Sequence, residues 1–269
     1  MLTNNHYYAI IQSQTIINNQ IIGDNMALLD RQDRILEYLK AHKNATVKAL
    51  SEMLFVSEAT LRRDLQELQS MGLIERNHGG ARLHENADEI SIFFRLQKNA
   101  KEKERVATKA LPHIPPFRSV FIDASSTALA LAERMDLSYK TVVTNNLQTA
   151  IQLSKKPNAS VILLGGNLRY DSSAVSGSWT ASLLNEFSFD LMICSCAGVE
   201  NGEIYERTLD TKEIKRAAFL RSKKRILLFD HTKWTERGAF LCGNLAEFDL
   251  IVTDEEPKVS LPSDIAILY

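Results

Sequence analysis

Arg62 and Arg63 stand in the segment Ser57-Glu58-Ala59-Thr60-Leu61-Arg62-Arg63-Asp64-Leu65-Gln66. A guanidinium can donate two parallel hydrogen bonds to guanine O6 and N7, worth roughly 1–3 kcal/mol of discrimination per good pair. Either arginine suits that role. Arg76, His78 and Arg82 surround the pair Gly79-Gly80; such side chains meet phosphates or the minor groove and fix register rather than read sequence. A second group of polar residues lies further along: Asp123-Ala124-Ser125-Ser126-Thr127, Thr144-Asn145-Asn146, Gly165-Gly166-Asn167 and Asp230-His231-Thr232-Lys233. Hydroxyls beside the free N–H groups of a helix start suit a phosphate. Asn side chains and glycine backbone suit sugar hydroxyls, and Lys233 or Lys215 would neutralise phosphate charge.

These residues need elements to carry them. Ile35, Leu36 and Leu39 recur at helical spacing among charged residues, giving one amphipathic helix. Thr46 is placed to cap a second helix carrying Val47, Leu50 and Leu54. Ser57 is placed to cap a third, which runs to Met71 and stops at Gly72. On that third helix Leu61, Leu65 and Leu68 share one face, and Ala59, Arg63 and Gln66 fall opposite, with Thr60 and Arg62 on the flanks. The short turn between helices two and three has the length of a helix-turn-helix, here about 45–64. Two extended stretches around Gly79-Gly80 follow as a hairpin, or wing. The duller alternative is a module for protein contacts, with Arg62 and Arg63 solvating a face beside Asp64 and Glu67.

From Ser119 onward, apolar β-rich runs at Val120–Asp123, Thr141–Thr144, Val161–Leu164, Leu191–Cys194, Ile226–Phe229 and Leu250–Thr253 alternate with helical patterns. That alternation predicts an α/β fold with a mainly parallel sheet covered on both faces. Ligands of such sheets bind at the carboxyl ends of the strands, where the polar residues named above fall. Each also has a plain explanation: serine and threonine cap helices, Gly165-Gly166 permits a tight turn, and Asp230 caps.

The organisation that results is a tail or mis-assigned start over 1–25 and a winged helix-turn-helix over 26–84. A linker over 85–98 and a larger sensor-type domain over 99–269 complete it. The first segment carries one charged side chain, Asp24, and its apolar residues are interrupted by Asn18, Asn19 and Gln20, unlike a secretory signal. Phe93 and Phe94 in the linker read as packing residues. The chain has 269 residues, 45% hydrophobic and 24% charged, which excludes a disordered or collagen-like class. A net charge of −1 gives no general attraction to nucleic acid, so DNA binding must rest on local Lys and Arg. No apolar run reaches the roughly 20 residues of a membrane span. Cys194, Cys196 and Cys242 form no disulfide framework and suit a reducing cytoplasm. Cys194 and Cys196 read as core, and the histidines are scattered, so neither a metal nor another cofactor is expected. Neither a Walker A loop nor a nucleophile elbow is present.

Val56-Ser57-Glu58-Ala59-Thr60-Leu61-Arg62-Arg63-Asp64-Leu65, followed by Arg76-Asn77-His78-Gly79-Gly80-Ala81, resembles the DeoR family of bacterial transcriptional regulators. The resemblance implies that Ser57, Thr60, Arg62 and Arg63 face DNA and that His78 to Gly80 form the wing tip. It continues through Arg95, Asn99, Glu102 and Lys103, and into a sensor domain matched at Asp123, Thr127, Thr144-Asn145, Gly165-Gly166, Glu213, Lys215, Asp230, Thr232 and Lys233. That domain is similar in fold to ribose-5-phosphate isomerase and is thought to bind phosphorylated sugars. Where the family turn has glycine, this chain has Ser125, which limits backbone approach to a phosphate. The expected function is therefore a DNA-binding regulator, a repressor of carbohydrate catabolism genes that is switched by a phosphorylated sugar. It would act as a cytoplasmic homo-oligomer on a double-stranded operator. The rival expectation is a sugar-phosphate isomerase-like enzyme using Asp123, Glu213, Lys215 and Lys233 as acids and bases.

Overall fold

The computed structural model describes residues 31–257, except 33, 40, 71, 78, 84–91 and 170–171, together with 267–269. The 1–25 segment, His78 and the first half of the linker (85–91) lie outside the described residues, as do the side chains of Phe93 and Phe94. The chain divides into two compact units, Met1–Ala87 and Asp88–Tyr269. Among the described residues no helix is long and apolar enough to cross a membrane.

In the N-terminal unit α1, described at 31–32, 34–39 and 41–42, buries Ile35, Leu36 and Leu39. Strand β1 (Asn44–Thr46) leads directly into α2 (Val47–Leu54). Thr46 is extended there, and its hydroxyl accepts the Ala49 N–H at 3.1 Å, satisfying one orphan donor of the helix start. Helix α3 (Glu58–Ser70) is opened by Ser57, whose hydroxyl accepts the Thr60 N–H at 3.1 Å. Gly72, at φ +71°, turns the chain out of it. Strands β2 (Ile74–Asn77) and β3 (Gly80–Leu83) form the hairpin, with Asn77 opposite Gly80 and Ile74 opposite Leu83. β1 adds to β3, giving the order β1-β3-β2. A β-carbon at Gly80 would lie 2.2 Å from the Ala45 carbonyl oxygen, so this close strand approach admits only glycine.

The second unit begins with α4 (Ile92–Gln97) and α5 (Ala100–Ala110). β4 (Ser119–Ile122), α6 (Ser126–Ala132), β5 (Thr141–Thr144), α7 (Leu147–Leu153) and β6 (Ser160–Leu163) follow in strict alternation. A short antiparallel pair, β7 (Asn167–Leu168) and β8 (Val175–Ser176), precedes α8 (Ser178–Leu183) and β9 (Phe189–Cys194). β10 (Gly198–Glu200), β11 (Glu203–Glu206), α9 (Leu209–Leu220), β12 (Ser222–Leu228), β13 (Phe240–Asn244), β14 (Leu250–Val252) and β15 (Ile267–Leu268) complete the unit.

The main sheet has seven parallel strands in the order β15-β14-β12-β9-β4-β5-β6, while β10, β11 and β13 form a separate antiparallel sheet. All six expected runs are strands of the main sheet, and β15 adds the seventh. Alternation along each strand divides the core. Val120, Ile122, Val142, Leu191, Ile193, Ile226 and Leu228 pack with α5 and α6 on one face. Phe121, Val143, Met192, Cys194, Leu227 and Phe229 pack with α9 on the other. Cys196, just beyond β9, and Cys242 join that second cluster. Burial raises all three thiol pKa values, Cys242 to about 11, so these are packing residues rather than nucleophiles.

Strand order sets the functional geography. From β4 the chain moves through β5 to β6, then returns to the other side of β4 and continues through β9, β12, β14 and β15. The order therefore reverses between β4 and β9, and a crevice opens at such a point beyond the strands' carboxyl ends.

Candidate nucleic-acid interface and effector site

Leu61, Leu65 and Leu68 of α3 are fully buried, whereas Ala59, Arg63 and Gln66 are exposed on the other side. Asp64 is buried too, but it is not a stray charge. Arg31 of α1 donates to both its oxygens, at 2.5 and 2.8 Å, and so ties the first helix to the third.

The two adjacent arginines differ. Arg62 pairs with Glu58 one turn back at 2.7 Å. Arg63 has no ion pair or hydrogen bond among the described residues, so its guanidinium is presented to solvent uncommitted. Ser57 and Thr60 share a hydrogen bond of 2.9 Å between their hydroxyls at the helix start. In the hairpin, Arg76 is exposed and has no ion pair among the described residues. Arg82 stands directly opposite Glu75 and binds it at 2.6 Å, so one of the wing's expected cations is neutralised within the hairpin. Gly79 takes φ +91° at the turn, and its carbonyl accepts the Val47 N–H at 2.8 Å, pinning the wing to α2. His78 was expected at this tip and lies outside the described residues.

In the second unit Asp123 sits at the carboxyl end of β4, on the reversal point. One carboxylate oxygen accepts the Ser125 N–H at 3.0 Å and its hydroxyl at 2.5 Å; the other accepts the Ser195 N–H, beyond β9, at 3.1 Å. Lys215, on α9, lies 3.3 Å from that second oxygen and also donates to Glu206 and to the Ser195 carbonyl. Burial opposes charge on Lys215, but Glu206 and Asp123 outweigh it and hold the ammonium well above its ordinary pKa. Burial raises the carboxyl pKa of Glu206, and Lys215 opposes that rise.

The expected role of Lys215 as a phosphate contact is therefore corrected. All three of its donors are used internally, and its side chain is 5% exposed. Asp123 is likewise saturated and organises the turn. Ser125 needs no glycine-like conformation, because at φ −92° it caps α6 through the Ala128 N–H. Ser126 and Thr127 are buried in the first turn of that helix.

The β5 end is also occupied from within. The Thr144 hydroxyl accepts the Asn146 N–H, and Asn146 caps α7 while donating to the Ser172 carbonyl at 2.9 Å. Asn145 donates to the Val175 carbonyl at 3.1 Å, but its own side-chain oxygen is buried without a partner. The Gly165 carbonyl accepts from Thr180, and a β-carbon at Gly166 would overlap the same hydroxyl at 2.0 Å. Thr144, Asn146 and Gly166 thus support the site; Asn145 keeps an acceptor to offer.

Cations gather elsewhere on the same edge. Asp230 caps the turn after β12 through Thr232, and accepts from Asn99 at 3.3 Å. Arg95 donates to the Ala124 carbonyl at 3.1 Å, which joins α4 to the Asp123 turn. Lys103 is buried and donates to the Arg95 and Lys98 carbonyls. Burial lowers its pKa to about 8; Asp230 opposes that shift, whereas Lys233, Arg95 and Lys98 reinforce it. Lys233 binds Glu236 at 2.8 Å. Arg95, Asn99 and Lys103 were not assigned a binding role from the residues alone. Their fourfold spacing, across two helices broken at a left-handed Asn99, was the available signal. His231, Asp254 and Glu255 also approach one another, but the Arg105 guanidinium lies 3.6 Å from Asp254 and already supplies a cation.

Comparison with known proteins matches residues 31–87 to the DeoR-like helix-turn-helix domain and residues 98–255 to the DeoR C terminal sensor domain. The chain is 36% identical over 240 residues to the HTH-type transcriptional regulator GolR of Listeria innocua, covering 86% of this chain and 92% of that one. It is 32% identical over 238 residues to the glycerol-3-phosphate regulon repressor of Escherichia coli, covering 88% and 94%. The L-fucose operon activator of Escherichia coli is 34% identical over 229 residues, covering 84% and 94%.

Proposed function

The chain belongs to the DeoR family of transcriptional regulators, and from that premise we propose that it represses carbohydrate catabolism genes under the control of a phosphorylated sugar. The observation that carries the DNA-binding half is the uncommitted Arg63 on a helix whose opposite face is sealed by leucines. Arg76 supplies a phosphate contact, and Arg82 does so only by giving up Glu75. Recognition of paired half-sites favours a symmetric dimer, and a cytoplasmic protein has direct access to the operator. A chain that light scattering finds monomeric at micromolar concentration, with and without DNA, would contradict the dimer.

The effector half rests on the cations around Asp230. Arg95, Lys98, Lys103 and Lys233 outnumber the carboxylates of Asp230 and Glu236 and suit a phosphate dianion. Asn145, with its unpartnered acceptor, suits a sugar hydroxyl. A sugar phosphate that binds one arrangement better than another shifts the population competent for DNA; a switch from 1:99 to 99:1 needs about 10⁴-fold differential affinity. Lys233→Ala is expected to shrink the thermal shift caused by a phosphorylated sugar, and an undiminished shift would remove Lys233 from the pocket.

Lys103 gives the site a pH signature. In the free protein it is half-protonated near pH 8. A bound dianion favours the charged ammonium, so above pH 8 binding must take up a proton. Affinity is expected to hold between pH 7 and 8 and then fall by up to about tenfold per pH unit. Calorimetry in two buffers of different ionisation enthalpy at pH 8.5 checks this, and heats that agree between buffers would exclude proton uptake. The acids and bases that an isomerase would need at Asp123 and Lys215 are bonded to one another. No conversion of ribose-5-phosphate to ribulose-5-phosphate is expected.

A further inference from the structure

Phe55 combines two unfavourable settings at one position. It terminates α2 in the left-handed region, at φ 56° and ψ 38°, where bulky residues are rare and Gly or Asn is usual. Its side chain is 96% exposed, more than any other large apolar residue described. The helix end does not call for a ring. The Phe55 backbone N–H closes on the Glu52 and Ser51 carbonyls, which any residue able to adopt this conformation would do. Among the described residues, no aromatic or cationic group packs on it. Asparagine would remove both penalties and keep the backbone bonds. A single exposed apolar residue needs no explanation; one that is also held in a disfavoured backbone conformation does.

Its position supplies one. Phe55 lies in the turn of the helix-turn-helix, separated only by Val56 from Ser57, which opens α3. The exposed residues that follow, Ser57, Glu58, Ala59, Arg62 and Arg63, belong to the surface assigned to DNA. We propose that Phe55 is a DNA-contacting residue, its ring laid against an apolar part of the duplex at the edge of the half-site. Such a ring finds two partners there: the C5-methyl of a thymine in the major groove, or the face of a deoxyribose. The contact adds apolar burial to an interface otherwise made of arginines and hydroxyls, and it distinguishes sequences only if the methyl is the partner. The proposal rests on α3 facing DNA, and its test separates the two.

The test uses the full chain and the duplex that it enriches from a random-sequence pool. Phe55→Asn is expected to raise the melting temperature by a few degrees while weakening binding to the selected duplex about fivefold, the loss that follows from exposing one apolar contact. Phe55→Leu, which keeps apolar reach, should retain most of the affinity. Replacing each thymine in turn by deoxyuridine identifies the partner. A methyl contact makes one replacement weaken the wild type but not Phe55→Asn, whereas a sugar contact leaves every replacement silent and the Phe55→Asn loss intact. A purely structural residue gives the opposite result: Phe55→Asn binds the selected duplex as tightly as the wild type, and that outcome overturns the proposal. If Arg63→Ala weakens binding while Phe55→Asn does not, this proposal falls alone. If the wild type enriches no duplex, the DNA-facing assignment falls with it.

Discussion

Arg63→Ala is expected to weaken binding to the cognate operator by about 10- to 100-fold while leaving binding to random duplex nearly unchanged. The reason is the division of labour on α3. Arg62 is held by Glu58, and Asp64 is consumed by Arg31, but Arg63 emerges from the leucine-anchored helix with five unengaged N–H donors. A bidentate contact to one guanine is worth roughly 1–3 kcal/mol and is lost at one base position only. Loss of a phosphate contact instead weakens all sequences alike and reduces the salt dependence by about one unit. Titrations on specific and shuffled duplexes at two salt concentrations separate the cases. Equal losses on both would remove the base-reading role from Arg63.

Lys215→Met should destabilise the sensor unit by about 3–5 kcal/mol, because it leaves Asp123 and Glu206 buried with no cation between them. Without the ammonium nothing opposes the upward push of burial on the Glu206 carboxyl pKa, so the folded state binds more protons than the unfolded one, and stability falls as pH rises. The deficit should therefore be largest near neutral pH and shrink on acidification toward pH 5. Adding Glu206→Gln to Lys215→Met should recover part of the loss, since one of the two stranded charges is then gone. Denaturant unfolding of the three variants checks it. A loss under about 1 kcal/mol that does not vary with pH would show that the three groups are not electrostatically coupled.

The parts that the amino-acid order made legible share one property: their signal is local. Leu61, Leu65 and Leu68 announce a buried helix face by spacing alone, and runs such as Val120–Ile122 or Ile226–Leu228 announce buried parallel strands by β-branched and apolar content. Elements defined by distant pairing stayed hidden. Asn44–Thr46 has no apolar alternation and is a strand only because β3 accepts it, with Thr46 opposite Gly80. The antiparallel β10-β11-β13 sheet is likewise assembled across a sequence gap, with Glu206 opposite Phe240.

The site shows the same limit. Polar strand ends were visible, but their use was not. Whether Asn146 offers its amide to a ligand or spends it on a helix cap depends on Ser172 and Thr149, and the sequence does not place Ser172 beside it. Lys215 read as a phosphate partner because nothing in the order of residues brings Glu206 to its ammonium. Arg95 and Lys103 carry no local signal of their surroundings, because only the fold brings α4 and α5 beside Asp230.

The most direct measurement of DNA recognition by α3 is a footprint of the purified full-length chain on the DNA upstream of its own gene at moderate salt. A protected patch is expected, with half-sites about one helical turn apart or a multiple of it. That patch should disappear with Arg63→Ala and change in occupancy when a phosphorylated sugar is added. Cleavage as uniform as on naked DNA, at every protein concentration and with every sugar phosphate tried, would contradict that recognition.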